Sequence, residues 1–146
     1  MAPRTAQRPP TDAGLTLLEL LVVVTILVLL TVAIGTVALN YLSGAKADAA
    51  RLQLGQIEAG LDLYRLDAGR YPTEAEGLAA LIEAPAGAAE WNGPYVRKEA
   101  ALTDPWGRQF EYRQPGRENE GSYDLFSLGA DGTEGGEDED ADVTNW

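Results

Sequence analysis

The residues able to do chemistry in this chain are carboxylates. Glu19 stands near the start of the apolar run "LTLLELLVVVTILVLLTVAIGTVALN", and seven more acids crowd the segment Asp131–Asp142. A charge inside hydrocarbon costs on the order of 2.5–3.5 kcal/mol, so Glu19 needs a partner or a place at the lipid headgroups. As the acid of a helix N-terminus it is favoured by the helix dipole. The C-terminal acids alternate with Gly129, Gly132, Gly135 and Gly136, which let the backbone turn tightly and aim carbonyls inward. Clustered carboxylates on such a loop suit a hard cation. The pattern is not an EF-hand: counting from Asp131, the third and fifth positions are Thr133 and Gly135, and no helices flank the loop. Paired carboxylates also serve glycosidases, but these cluster on one tail instead of facing each other across a cleft.

Other chemistries are excluded by composition. The 146 residues include no histidine and no cysteine, so a Ser-His or Cys-His hydrolase, a thiolate metal site and a disulfide staple are all impossible within the chain. A net charge of −12 repels nucleic acid. The aromatics Trp91, Trp106, Tyr95, Phe110 and Tyr112 lack a basic patch beside them and read as core and turn packing. After Arg117 no basic residue occurs, so the segment Leu128–Val143 has no Lys or Arg of its own to compete for the acids.

The elements that must position these acids follow from periodicity. Residues 1–14 carry Arg4, Arg8 and a Pro pair, end on Gly14, and read as a leader that is removed. Leu20–Leu39 is a run of 20 residues interrupted only by Thr25, Thr31, Thr36 and Gly35. As a helix it spans about 30 Å, the thickness of a bilayer core. Segment 15–40 is therefore expected to be a transmembrane helix. Helix is expected to continue, because Ala50, Leu54, Ile57, Leu61 and Tyr64 recur at helical spacing, with Asp48–Arg51 and Asp62–Arg65 pairs on the other side. Gly69 and Pro72 should end it near Leu66. Thr73 and Glu76 form a capping-box signature for a short helix reaching about Glu83. "DPWG" (104–107) is a turn, and "RQFEYRQ" and "SYDLFSLG" alternate as antiparallel strands around the loop "PGRENEG". The expected fold is α+β: a long helix, half in the membrane and half amphipathic, packed on a small antiparallel sheet within a globular segment 41–146.

These motifs resemble a known family. "G-LTLLELLVVV" at 14–24 is similar to the processing signal of type IV pilins and pseudopilins. "GRYPTEAEGLAAL", "NGPYVRK", "TDPWGRQFEYRQPG" and "YDLFSLGADGTEGGEDEDADVTNW" resemble the major pseudopilin of the type II secretion system, over nearly the whole mature chain. The first motif is shared by the superfamily; the "DPWG" turn and the "SLGADG" tail are more specific. The chain departs from the usual pattern in having Leu15 where Phe is commoner, and Gly35-Thr36 where many relatives carry Pro.

The resemblance implies cleavage by a prepilin peptidase between Gly14 and Leu15, and methylation of the new amine. It implies a type IV pilin-like fold and single-pass insertion in the inner membrane with the globular part in the periplasm. It also implies polymerisation into a helical homo-oligomer, with minor pseudopilins and an inner-membrane assembly platform as partners. Glu19 then has a role, since a neighbour's Leu15 amine neutralises it and the pair is buried together. The implied cofactor is Ca²⁺. Asp131 is the best single ligand by resemblance, Asp140 and Asp142 close the loop, and the carbonyls of Leu128 and Val143 contribute, with Glu137, Asp138 and Glu139 solvated. The protein is then a structural subunit and not an enzyme. The alternatives are a type IV pilin or competence pseudopilin, and, in a different class, a monomeric membrane-anchored calcium-binding domain.

Overall fold

The structure, a computed structural model, describes residues 16–146, with the backbone alone for 35–40. Helix α1 spans Leu17–Ala68. Thr16 caps it: its Oγ1 accepts the Glu19 N–H at 3.2 Å, a donor that the first helical turn leaves without an internal partner. The chain divides between Leu39 and Asn40 into two compact units. In the first, the window Leu17–Ile34 has a mean hydropathy of 3.0 and no buried residue, so it is long and apolar enough to cross a membrane. The hydroxyls of Thr25 and Thr31 donate to the Leu21 and Leu27 carbonyls, each at 2.7 Å, which satisfies them within the helix.

In the second unit the expected stripe forms the core. Ala50, Leu54, Ile57, Leu61 and Tyr64 are all buried, against Leu78, Leu81, Leu102, Phe110, Tyr123 and Leu125. Each large aliphatic contributes about 1.5–3 kcal/mol by burial. Gly69, at φ +71°, ends the helix two residues beyond Leu66's neighbour Asp67, and its N–H bonds the Arg65 carbonyl at 2.8 Å. The Asp48–Arg51 pair forms at 2.9 Å. Asp62 and Arg65 are instead joined through the Tyr71 hydroxyl, which accepts from Arg65 at 3.2 Å and donates to Asp62 at 3.0 Å.

The capping box forms without the α-helix expected after it. Thr73 N–H reaches Glu76 Oε2 at 2.7 Å and Glu76 N–H reaches Thr73 Oγ1 at 3.3 Å. Gly77, at φ +56°, then breaks the run, and only a 3₁₀ turn at Leu78–Leu81 follows. A second 3₁₀ turn covers Glu99–Leu102. The strands are shorter than the alternation suggested: β1 is Glu111–Arg113 and β2 is Asp124–Ser127. They pair antiparallel with Tyr112 opposite Leu125. Pro115, lacking an N–H, stands just beyond β1. The acidic tail folds back as a third strand, β3 (Val143–Thr144), giving the sheet order β1-β2-β3. Val143 is buried, and Trp146 packs edge-on against Phe126 with ring centroids 5.6 Å apart.

Candidate functional site

The acidic loop hangs from a closed neck. Ser127 pairs with Val143 across β2 and β3, so Leu128 and Val143 stand at the two ends of the intervening loop. Within it, Gly129, Gly132, Gly135 and Gly136 all adopt positive φ. A Cβ on Gly136 would lie 2.5 Å from the Asp140 carbonyl oxygen, and one on Gly129 would lie 2.6 Å from the same atom. These two glycines therefore allow the loop to wrap around the Asp140 backbone. Asp131 is folded onto its own turn, its carboxylate accepting from Thr133 N–H at 3.0 Å and Thr133 Oγ1 at 2.6 Å. Those bonds, the Thr133 hydroxyl first, hold its carboxyl below the usual carboxylate range. Asp142 Oδ2 accepts the Gly135 N–H at 2.9 Å, while its Oδ1 is buried with no hydrogen-bond partner. Asp140 is exposed and closes a single 3₁₀ turn, Asp138–Asp140. Among the described residues no three acidic side chains converge on one point, so Asp131, Asp140 and Asp142 are not a ready-made carboxylate cage.

Three cations enter this loop from outside, which its own composition could not reveal. Arg113 reaches Glu134 at 3.1 Å. Lys46, on α1, reaches Glu139 at 3.0 Å, and the same carboxylate oxygen accepts the Trp106 indole N–H at 3.3 Å. Glu139 is thus a tie between helix and loop, not the solvated acid expected; its bonds to Lys46 and, less strongly, Trp106 lower its pKa. Arg108 donates to the carbonyls of Gly129 and, at 3.2 Å, Ala130. It is held there by the "DPWG" turn. Asp104, only 5% exposed, accepts the N–H groups of Trp106 (3.0 Å) and Arg108 (2.9 Å) and the Ser127 hydroxyl (2.5 Å). One buried carboxylate therefore fixes the turn, the strand β2 and the base of the acidic loop.

Toward the other end of the chain, α1 is an exposed apolar helix. Glu19 is exposed in the first turn of α1, on a segment whose apolar side chains are all exposed. Gly14 and Leu15 lie outside the described residues. Beyond the membrane-length window, α1 carries a second apolar stripe that the charge-pair reading overlooked. Leu52, Leu63 and Leu66 are 66%, 50% and 79% exposed, and with exposed Ala59 they recur at spacings of seven, four and three. That is one helical seam, facing away from the core stripe.

Comparison with known proteins addresses this combination of an exposed apolar helix, a "DPWG" turn and a folded-back acidic tail. The family model of the type II secretion system (T2SS), protein G, matches residues 38–146. The chain belongs to that family. It is 41% identical to the type II secretion system core protein G of Pseudomonas aeruginosa over 138 residues, covering 92% of this chain and 95% of that one. It is 40% identical to the Vibrio cholerae core protein G, covering 92% of each chain. The crystal structure of the major pseudopilin from the type 2 secretion system of enterohaemorrhagic Escherichia coli matches with a TM-score of 0.56 and 36% identity, over 70% of this chain and 88% of that one. The role of the protein G chain is structural, as a subunit of the secretion pseudopilus. The family match covers residues 38–146, which include Asp104, Arg108 and the acidic loop.

Proposed function

We propose that this protein G chain is cut between Gly14 and Leu15 by a prepilin peptidase and is held in the inner membrane by the apolar half of α1. It then polymerises into a periplasmic pseudopilus that drives export of folded proteins across the outer membrane. The observation that carries this reading is the wholly exposed apolar half of α1, with Glu19 at its head and the Leu52–Leu63–Leu66 seam further along. So much exposed apolar surface demands lipid before assembly and neighbouring copies after it. Glu19, costly alone in hydrocarbon, is neutralised by the Leu15 amine of a neighbour. Its partners are further copies of the chain, minor pseudopilins and an inner-membrane assembly platform. Its work is mechanical and not catalytic.

The loop Leu128–Val143 is the calcium site in this reading. Asp131, Asp140, Asp142 and the carbonyls of Leu128 and Val143 supply oxygens, the ligand type calcium takes. The residues fit: Asp142 Oδ1 is a buried oxygen without a partner, and the loop's two ends are already paired at the neck. Bound there, the ion would offset repulsion among the acids and staple the tail to the sheet.

N-terminal sequencing of membrane-extracted protein should begin Leu-Thr-Leu-Leu-Glu. A start near Leu39 would mean an ordinary signal peptide and would refute the pseudopilin processing. Glu19→Ala should leave membrane insertion intact and abolish filaments seen by electron microscopy. Filaments of normal length in that variant would return Glu19 to a simple helix-terminal acid.

A further inference from the structure

Among the described residues, three basic side chains have no hydrogen-bond or ion-pair partner: Arg97, Lys98 and Arg117. Arg117 differs from the other two in its mounting. It lies on the loop between β1 and β2, whose backbone is pinned from inside. Asp124, fully buried, accepts the N–H groups of Arg117 (2.6 Å), Glu118 (3.2 Å) and Asn119 (2.9 Å). Asn119 Nδ2 donates to Asn145 Oδ1 at 3.1 Å, and Gly116 packs so closely that a Cβ would lie 2.7 Å from Asp124 Oδ1. A long cation on a fixed base loses less freedom when it docks than one on a mobile loop.

Elsewhere the same unit holds a groove of about 410 Å³ with the complementary chemistry. Its lining includes Leu78, Ile82, Leu102 and Phe110 together with Glu83 and Glu99. Both acids are exposed and neither has an ion-pair or hydrogen-bond partner for its carboxylate. Glu76, also in the lining, is already taken by Arg70 at 2.6 Å. Apolar side chains in one lining with two free carboxylates suit a guanidinium on an aliphatic stem.

We propose that the Arg117 loop of one copy seats in the Glu83–Glu99 groove of a neighbouring copy. The inference rests on the pseudopilus reading, which sets copies side by side at high local concentration. Copies as acidic as this chain, whose full sequence has a net charge of −12, repel unless cations are placed against acids, and Arg117 is a mounted cation with no use inside its own chain. Knob and groove are different patches, so the contact is heterologous. Such contacts propagate into open helical filaments instead of closing into a dimer.

The chain has no cysteine, so paired cysteines report the contact directly. Glu118→Cys combined with Ala79→Cys, which lines the groove, leaves Arg117, Glu83 and Glu99 in place. Mild oxidation of membranes carrying this full-length variant should give a ladder of dimers, trimers and higher species. Each single-cysteine variant can give at most a dimer. Adding Arg117→Glu should remove the ladder, and adding Glu83→Arg and Glu99→Arg to that chain should restore it. Rising salt should weaken it. No ladder from the paired variant, a ladder indifferent to Arg117→Glu, or Ala79→Cys adducts only to some other protein would each overturn the proposal. Filaments without a ladder would sink this contact and leave the pseudopilus reading standing. A charge-dependent ladder without filaments would do the reverse.

Discussion

Asp104→Ala should be among the most damaging single changes in the globular unit. The carboxylate holds two turn N–H groups and the Ser127 hydroxyl. After truncation the three donors do not fare alike. Trp106 and Arg108 are half-buried, so water can reach their N–H groups, and each loses about 0.5–1.5 kcal/mol, the net worth of an ordinary hydrogen bond. Ser127 is 1% exposed, so its hydroxyl is stranded at a cost of about 1–3 kcal/mol. The total is about 2–6 kcal/mol, a large share of the roughly 5–15 kcal/mol that stabilises a small domain. At about 4–8 °C per kcal/mol for a domain of this size, the Tm should fall by at least about 8 °C. Thermal unfolding of the detergent-solubilised full chain, followed by circular dichroism, measures this. Ser127→Ala in the Asp104→Ala background should recover part of the loss, because the stranded hydroxyl is gone. The acidic loop should also become protease-sensitive, since Arg108 loses the anchor that aims it at the Gly129 and Ala130 carbonyls. A loss below about 1 kcal/mol, or no recovery in the double variant, would refute the assignment of Ser127 as the stranded group.

Three further outcomes are expected. Calcium at 100 times its dissociation constant should stabilise the full chain by about 2.7 kcal/mol and protect the loop from proteolysis, and Asp142→Ala should abolish both effects; an unchanged Tm and cleavage rate with calcium or EGTA would remove the ion from the account. Gly136→Ala, forced to φ +93° with its new Cβ 2.5 Å from the Asp140 carbonyl oxygen, should cost on the order of 1–3 kcal/mol, and a neutral result would mean the loop is not wrapped as described. Stability should also fall with acid. Burial raises the Asp124 carboxyl pKa, but the N–H groups of Asn119, Arg117 and Glu118 outweigh it and the net shift is downward; Glu76, bonded first to Arg70, is lowered to about 2. A depressed folded pKa stabilises above the unfolded value and is lost as pH falls through the folded one, so the fall belongs between about pH 4.5 and 2. Asp124→Asn should flatten that acid limb, and an unaltered limb would argue against Asp124 as the acceptor that pins the β1–β2 loop.

The helix was legible because burial writes a period into it: the Ala50–Tyr64 stripe is apolar at every turn and all five residues are buried. The sheet was legible only in part. β3 is two residues long, too short to show alternation, and only apolar Val143 and Trp146 after the acids hinted at it. The acids misled in both directions. Asp104 and Asp124 are buried, although acidic residues are ordinarily solvated, because each gathers three donors that sequence does not display. Glu139 found its cation 93 residues away in Lys46, and such a pairing exists only once the fold has brought the two together. The one clue to Arg108 was its place directly after "DPWG", where a turn must aim the next side chain somewhere.

Among the described residues β3, at the outer edge of the sheet, follows β1 and β2 in the chain. β3 pairs with β2, and just after it Asn145 Oδ1 accepts the Leu125 N–H at 2.9 Å and ties in Asn119 at 3.1 Å. Synthesis from the N-terminal side delivers α1, then β1 and β2, and β3 after them. Until Asn145 emerges, the outer edge of β2 lacks its mate and the acidic loop has one end free. A chain cut before Asn145 would therefore carry an open sheet edge and a loose acidic loop, and both would be open to proteases.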